Sequence, residues 1–407
     1  RGAKFGIERT CELLSRIGNT QKKLKFVHVA GTNGKGSTCA MIAKTLTLAG
    51  YNTGLYISPF INHFSERMQM NGVPISNDTL AEITAFIKPH ADAMADHPTE
   101  FELITVIAIE YYLRSKADIV VLEVGLGGEL DSTNAIDTPE LAIITNIGLD
   151  HTRELGSTIT EIASAKAGII KPGGDVLIYD QNPEADQVFA SSCLARGASL
   201  HITDHSRVSN VVASLDALSF DCTPYGTLRC GLTGTYQAKN AAVAITAIEL
   251  LQAKGWNISE QNLRDGLLSV RWPARFELLR RNPIFIADGG HNPQGIAAVA
   301  ASLREHFPNQ KITFLMGVMA DKDIPQMLDQ LAPLANHFVT VTPNNPRALG
   351  ADVLAAMIAE RGLSAESSSS VVDGVHRAIE IAGPDGIVCA LGSLFLLGDV
   401  RNTLGVN

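Results

Sequence analysis

Three glycines, a lysine and a Ser-Thr pair fall within eight residues of this chain, Gly31-Thr32-Asn33-Gly34-Lys35-Gly36-Ser37-Thr38. The apolar run Phe26 to Ala30 leads in, and a helical pattern with Met41, Ile42, Leu46 and Leu48 leads out. Strand, glycine-rich loop and helix are the context of a phosphate-binding loop. Glycines let backbone N–H groups close on phosphate oxygens, and the helix N-terminus adds partial positive charge. Lys35 can reach the β- and γ-phosphates, and Ser37 or Thr38 can offer a hydroxyl to magnesium. Gly36 separates the lysine from the hydroxyl, a departure from G-x-x-x-x-G-K-[ST]. The plainer reading, a glycine-rich turn with a solvated lysine, leaves the coincidence of these residue types at one strand-to-helix junction unexplained.

Other strand ends carry reactive atoms. Leu55-Tyr56-Ile57 runs into Ser58-Pro59, and Ala117 to Gly125 is a buried strand closing on Glu123. Leu141 to Asn146 leads to Gly148-Leu149-Asp150-His151. An acidic residue at such an end is where a P-loop fold holds magnesium. Open parallel sheets bind ligands at the carboxyl ends of their strands, where Lys35, Ser58, Glu123 and His151 all fall.

The elements that must position these residues alternate. Phe5 to Ile17 reads as an amphipathic helix. Ser76 or Asn77 caps a helix from Asp78 to about His90, and Glu100-Phe101-Glu102 leads another through Leu113. Residues 207–234 read as a small β excursion, and a long helix begins at Gln237. Trp272-Pro273-Ala274-Arg275 breaks the pattern, after which βα alternation restarts. The strands expected there are Ile284–Ala287, Ile312–Met316, His337–Thr342 and Ile387–Leu391, and Ser367–Ser370 is expected as a loop. The fold class is α/β: an N-terminal P-loop ATPase-like domain with a mostly parallel sheet (1–272), and a smaller Rossmann-like α/β domain (276–407) after a hinge at 273–275.

At 407 residues, two domains are expected. Hydrophobic content of 45% and charged content of 18% describe a soluble globular chain. A net charge of -9 argues against non-specific nucleic-acid binding. Apolar runs such as Leu103–Ile109 are too short to span a membrane. Six scattered cysteines without a C-x-x-C pair fit reduced structural thiols in a cytoplasmic protein. The chain begins at Arg1, so a few native residues are expected to precede it, and no secretory signal is visible.

Taken together, several stretches resemble the folylpolyglutamate synthases, including bacterial enzymes that also act as dihydrofolate synthases. They are Gly31 to Ser37, Ser58-Pro59 with Glu66-Arg67, Thr99 to Glu102, Glu123 to Gly128 with Asp131 to Asn134, and Leu149-Asp150-His151. Lys166-Ala167-Gly168-Ile169, Gln237 with Asn240, Arg275-Phe276-Glu277, Asp288 to Pro293 and Gly392-Ser393-Leu394 complete the series in order. The wider group includes the Mur ligases, whose loop usually reads G-K-T and which carry an additional N-terminal domain; none is expected before residue 25.

The resemblance implies an ATP-dependent ligase that forms an amide to L-glutamate through an acyl phosphate, acting on a reduced folate and also on dihydropteroate. It implies ATP and one or two magnesium ions. By it, Gly34, Lys35, Gly36, Ser37, Asn240, Arg275 and Asp288 bind nucleotide, with Arg275 a fork for phosphate oxygens and Asp288 an acceptor from the ribose. Ser37, Ser58, Glu123 and His151 hold metal; the plainer role for His151 is a cap. Lys166 is carbamylated; its plainer role is a solvated helix lysine. His291 and Ser393 contact glutamate, and the catalytic set is Lys35, Lys166 and His291. Thr99, Glu100, Phe101, Glu102, Leu130, Asp131 and Ser132 line the pterin side. The chain departs from the family pattern at Phe60, Glu129, Ala165 and Ala274. A monomer acting on small molecules is expected, without membrane or nucleic acid. A Mur-type amino-acid ligase and a P-loop nucleotide switch are the alternatives; a switch has no use for Asp288, His291 and Ser393.

Overall fold

The computed structural model describes residues 6–179 and 182–406, so Phe5 of the expected first helix lies outside the described residues. The chain divides into two compact units, Arg1–Arg207 with Lys239–Val270 and Val208–Ala238 with Arg271–Asn407.

The first unit is built on β1 (Phe26–Ala30), β2 (Thr53–Tyr56), β3 (Met68–Met70), β4 (Val73–Pro74), β5 (Ile119–Glu123), β6 (Leu141–Ile144), β7 (Asp175–Ile178) and β8 (Ser199–Ile202). Their order is β4-β3-β2-β5-β1-β6-β7-β8. β2, β5, β1, β6, β7 and β8 run parallel, and β3 and β4 add an antiparallel edge. β1, β5 and β6 are buried along their whole length, as near-continuous apolar runs in a sheet covered on both faces must be. Apolar cores form on both sides, one including Phe26, Tyr56, Tyr112 and Leu122, the other Ala30, Ile144, Ile162 and Phe189. In register Val29 lies beside Glu123, and Ala30 beside Ile144. The end of β1, the Glu123 carboxylate and the residues after β6 therefore emerge side by side.

The second unit holds a three-stranded antiparallel sheet, β9 (Val208–Ala213), β10 (Leu218–Cys222) and β11 (Gly226–Cys230). It also holds β12 (Glu277–Arg281), β13 (Ile284–Ala287), β14 (Ile312–Met316), β15 (Ala335–Thr340), β16 (Ala365–Ser367) and β17 (Ile387–Leu391), ordered β12-β13-β17-β14-β15-β16. All are parallel except β12. Phe314 and Phe338 stack at 5.2 Å between ring centroids within its core.

Two features differ from the sequence reading. Residues 208–238 group with the C-terminal unit, because Thr233 donates to the Phe276 carbonyl at 2.7 Å and Tyr236 donates to Asp288 at 2.5 Å. The serine run is not all loop: Ser367 ends β16, and Ser370 caps the helix Val371–Ala382.

Candidate active site

The loop after β1 is held by the residues after β6. The Thr32 N–H donates to the Asn146 carbonyl at 2.8 Å, and the Thr145 hydroxyl donates to the Asn33 carbonyl at 2.8 Å. The contact is close enough to require glycine at residue 31, where φ is +150° and a Cβ would stand 1.8 Å from Thr145 Oγ1. Gly34, at φ +88°, precedes the helix Lys35–Leu48, and a Cβ there would meet Asn240 Oδ1 at 2.7 Å. Asn240 thus lies against the turn of the loop. The first turn of the helix follows, with Ser37 and Thr38 buried. Its N–H groups and dipole suit an anion.

Lys35 Nζ donates to the Gly31 carbonyl at 3.0 Å, and Lys166 Nζ donates to the same oxygen at 3.0 Å. Lys166 comes from the helix Ile159–Ala167 and is only 4% exposed. Burial, followed by the charge of Lys35, pushes its pKa down to about 7 against the opposing pull of Asp150 and Asp131. The solvated-lysine reading does not apply to it.

Glu123 is buried at the end of β5 and accepts from the Ser58 N–H at 3.2 Å. Arg67 donates to Ser58 Oγ at 3.0 Å, while its guanidinium lies over Phe60 and Phe64 at 5.3 and 5.9 Å from their centroids. Phe60 is thus one of the rings that hold Arg67 on Ser58. Glu66 accepts from the N–H groups of Ile61, Asn62 and His63, fixing the same loop. Ser37, Ser58 and Glu123 are all oxygen donors. Among the described residues, no three His, Cys, Asp or Glu side chains are grouped to hold a metal. A sparse oxygen set fits magnesium, which keeps waters and nucleotide oxygens in its shell, better than a metal needing an all-protein cage. His151 has a left-handed backbone at φ 51° and begins the short helix Thr152–Leu155, its N–H donating to Asp150 Oδ1 at 2.9 Å.

The segments expected on the pterin side are close-packed. A Cβ at Gly125 would stand 2.4 Å from the Phe101 ring and 3.2 Å from Asp131 Oδ2. Ser132 Oγ is 2.6 Å from Thr105 Oγ1, which is 3.3 Å from the Tyr56 hydroxyl. Glu100 and Leu130 are exposed. Glu102 turns into the fold: it accepts from the Thr99 N–H at 2.7 Å in a capping box, and Arg9 donates to both its oxygens at 2.8 and 2.9 Å. Burial raises the pKa of Asp131, opposed by donors from Thr133, Leu126 and Gly125. Two residues of this region were missed in the sequence, Arg67 as an anchor of Ser58 and His28. His28 is the lone imidazole in an otherwise apolar strand, which was its signal.

In the second unit, the Asp288 carboxylate accepts from the Tyr236 hydroxyl at 2.5 Å and from the N–H groups of Phe276 and Gly290, each at 2.8 Å. Arg275 is flanked by two residues in the left-handed region, Ala274 at φ 58° and Phe276 at φ 51°, and it donates to the Ala274 carbonyl at 3.0 Å. His291 Nδ1 is 2.8 Å from the Gly289 carbonyl, which can only accept, so that nitrogen carries a proton. Ser393 is buried and caps the helix Leu394–Thr403 by accepting from Phe395 N–H at 3.2 Å.

Residues 29–248 match the Mur ligase middle domain, and residues 274–394 match the Mur ligase glutamate ligase domain. The chain is 38% identical to a Bacillus subtilis protein named dihydrofolate synthase/folylpolyglutamate synthase, over 99% of this chain and 96% of that one. It is 36% identical to the folylpolyglutamate synthase of Lacticaseibacillus casei, over 99% and 96%. Its fold superposes with a TM-score of 0.92 on Mycobacterium tuberculosis folylpolyglutamate synthase complexed with ADP and AMPPCP, at 28% identity over 99% of this chain and 96% of that one. With E. coli FolC in complex with DHPP and ADP the TM-score is 0.88, at 29% identity over 100% and 94%. The Mur-type and switch alternatives give way to these relationships: the chain belongs to the folylpolyglutamate synthase/dihydrofolate synthase family of the Mur ligases and is an ATP-dependent ligase.

Proposed function

We propose that this ligase joins L-glutamate to reduced folates and also to dihydropteroate. A carboxylate is a poor electrophile. Its oxygen attacks the γ-phosphorus of ATP, ADP leaves, and the acyl phosphate carries a good leaving group. The amine of L-glutamate then attacks the acyl carbon, phosphate departs, and the amine loses its proton. The demand on the protein is to hold phosphoryl charge while a second anion approaches.

The observation that carries this reading is the glycine-rich loop with Lys35 and Ser37 at the helix N-terminus after β1, while the neighbouring strand β5 ends on Glu123, which is bonded to Ser58. Gly34, Lys35, Gly36 and Asn240 would hold the phosphates, and Ser37, Ser58 and Glu123 one magnesium, with His151 at a second. Magnesium, when bound, would neutralise phosphoryl charge. Arg275 and Asp288 would bind nucleotide, Asp288 with the lone pairs that its three donors leave over. His291 and Ser393 would bind glutamate. Thr99, Glu100, Phe101, Leu130, Asp131 and Ser132 would line the pteridine side, with Glu102 acting through its cap on Thr99. A hinge at 273–275, in a cytoplasmic monomer, completes the reading.

Lys166 is read as a carbamate site. Its neutral amine adds to carbon dioxide, an N–C bond forms, and one proton leaves. Burial first, and the charge of Lys35 second, disfavour an ammonium at Lys166, and a carbamate there would set an anion beside the Lys35 cation in place of a second cation. The test of the whole reading is ATP-derived phosphate release with L-glutamate, comparing dihydropteroate with a reduced folate. Release with both supports the bifunctional assignment, release with the reduced folate alone reduces it to polyglutamylation, and independence of either contradicts it.

A further inference from the structure

His28 sits in the middle of β1 with its side chain fully buried, paired in register with Leu122 of β5 and Ala142 of β6. Its Nε2 is 2.9 Å from Thr133 Oγ1. The Thr133 hydroxyl is in turn 2.6 Å from Asp131 Oδ1, and the Thr133 N–H donates to that same oxygen at 3.0 Å. The other Asp131 oxygen accepts from the Leu126 N–H at 2.8 Å, and the Gly125 N–H also serves this carboxylate.

The proton positions follow from the count of donors. Three backbone N–H groups converge on Asp131 and favour its carboxylate form against burial, and a carboxylate only accepts. The single Thr133 hydroxyl proton must therefore point to Asp131. The Thr133 oxygen is left to accept, and His28 Nε2 is its donor. The imidazole is neutral, with its proton on Nε2, and burial holds its pKa down at about 3. Its Nδ1 has no hydrogen-bond partner. A bare buried nitrogen costs free energy that an apolar side chain of similar size would avoid. What histidine contributes here is therefore the Nε2–H.

We infer that His28 is a positioning residue: it orients the Thr133 hydroxyl onto Asp131 and thereby fixes the Gly125–Ser132 loop against the strand that carries the phosphate-binding loop. The chain His28, Thr133, Asp131, Leu126 ties the acceptor-substrate loop to β1. The catalytic consequence rests on the pteridine assignment of that loop made above, whereas the relay itself does not.

Two substitutions separate the relay from bulk. His28→Leu fills the space without a donor, and His28→Gln keeps an N–H near the Nε2 position. Amide hydrogen exchange at Gly125 and Leu126 in the unliganded protein reads the relay directly. Exchange about tenfold faster in His28→Leu, the loss of one hydrogen bond, and within about twofold of wild type in His28→Gln is expected. Unchanged exchange in His28→Leu, or equal loosening in both variants, overturns the relay whatever the substrate is. In steady-state assays, His28→Leu is expected to raise the KM for the pteridine about tenfold with ADP affinity unchanged, and His28→Gln to restore it. Loosened exchange with an unaltered pteridine KM overturns the catalytic consequence. Absence of pteridine-dependent turnover in the wild type is a failure of the functional assignment, not of the relay.

Discussion

Lys35 and Lys166 donate to one and the same acceptor, the carbonyl oxygen of Gly31, each at 3.0 Å. One lysine is half-buried at the start of the P-loop helix, and the other is sealed inside the fold. The two play different parts because of this difference. The half-buried ammonium can meet phosphate, and the sealed amine loses its proton near neutrality.

The pKa of Lys166, about 7, has a signed consequence. An unfolded lysine holds its proton to about pH 10.4. Between these values the unfolded chain binds more protons than the folded one, so this group's contribution to stability rises with pH from about 7 toward 10. Chemical denaturation of wild type and Lys166→Met at pH 6.5 and 8.5 measures it; the wild type should gain relative to the variant. Carbamylation follows the same proton: 13C NMR with labelled bicarbonate should show a carbamate resonance at pH 8.5, much reduced at pH 6, and absent from Lys166→Met.

Lys35→Ala removes the cation proposed to meet phosphate, together with its donations to the Gly31 and Thr32 carbonyls. ATP turnover should fall by about a hundredfold or more, the scale of one lost charge-stabilising donor, with the circular dichroism unchanged. Undiminished turnover would remove Lys35 from the phosphate site.

Gly31→Ala would push a Cβ to 1.8 Å from Thr145 Oγ1 at a backbone φ of +150°. A loss of about 3 kcal/mol is expected from steric overlap and backbone strain together. Adding Thr145→Ala should recover part of it, because the two positions share the clash. Urea denaturation of the single and double variants checks this.

Arg9 holds the buried Glu102 carboxylate through two donors at 2.8 and 2.9 Å. Arg9→Ala strands that charge and should cost about 3 kcal/mol. Arg9→Ala with Glu102→Gln should be milder than Arg9→Ala alone. The reverse ranking would show that the pair contributes nothing beyond packing.

Ala274 adopts φ 58° beside Arg275, a left-handed conformation that glycine takes without a Cβ penalty. Ala274→Gly relieves about 1 kcal/mol of left-handed backbone energy against a similar or smaller entropic loss in the unfolded chain. The expected result is a midpoint unchanged or slightly raised, and a fall of more than about 1 kcal/mol would contradict the strain argument.

Much of the fold was legible where an apolar run ended on a reactive residue. β1, β5 and β6 are fully buried, and their ends supply Gly31, Glu123 and Thr145. β8, β12 and β16 were harder, because their partly exposed residues leave neither an apolar run nor clean alternation. The grouping of 208–238 with the second unit depends on bonds such as Tyr236 to Asp288, 52 positions apart. No local pattern reports these. Glu102 shows the same limit in the site: its T-x-x-E cap with Thr99 is a local signature, but Arg9 lies 93 positions away. His28 was visible as an oddity in an apolar strand, and only its partner Thr133 gives it a task.

The measurement closest to the central claim is phosphate release from ATP by the wild-type chain, with L-glutamate and with either dihydropteroate or a reduced folate. Release should require the pteridine acid and L-glutamate together, and mass spectrometry should find the product heavier by one glutamyl residue. Phosphate release that ignores the pteridine, with no glutamylated product, would contradict the assignment.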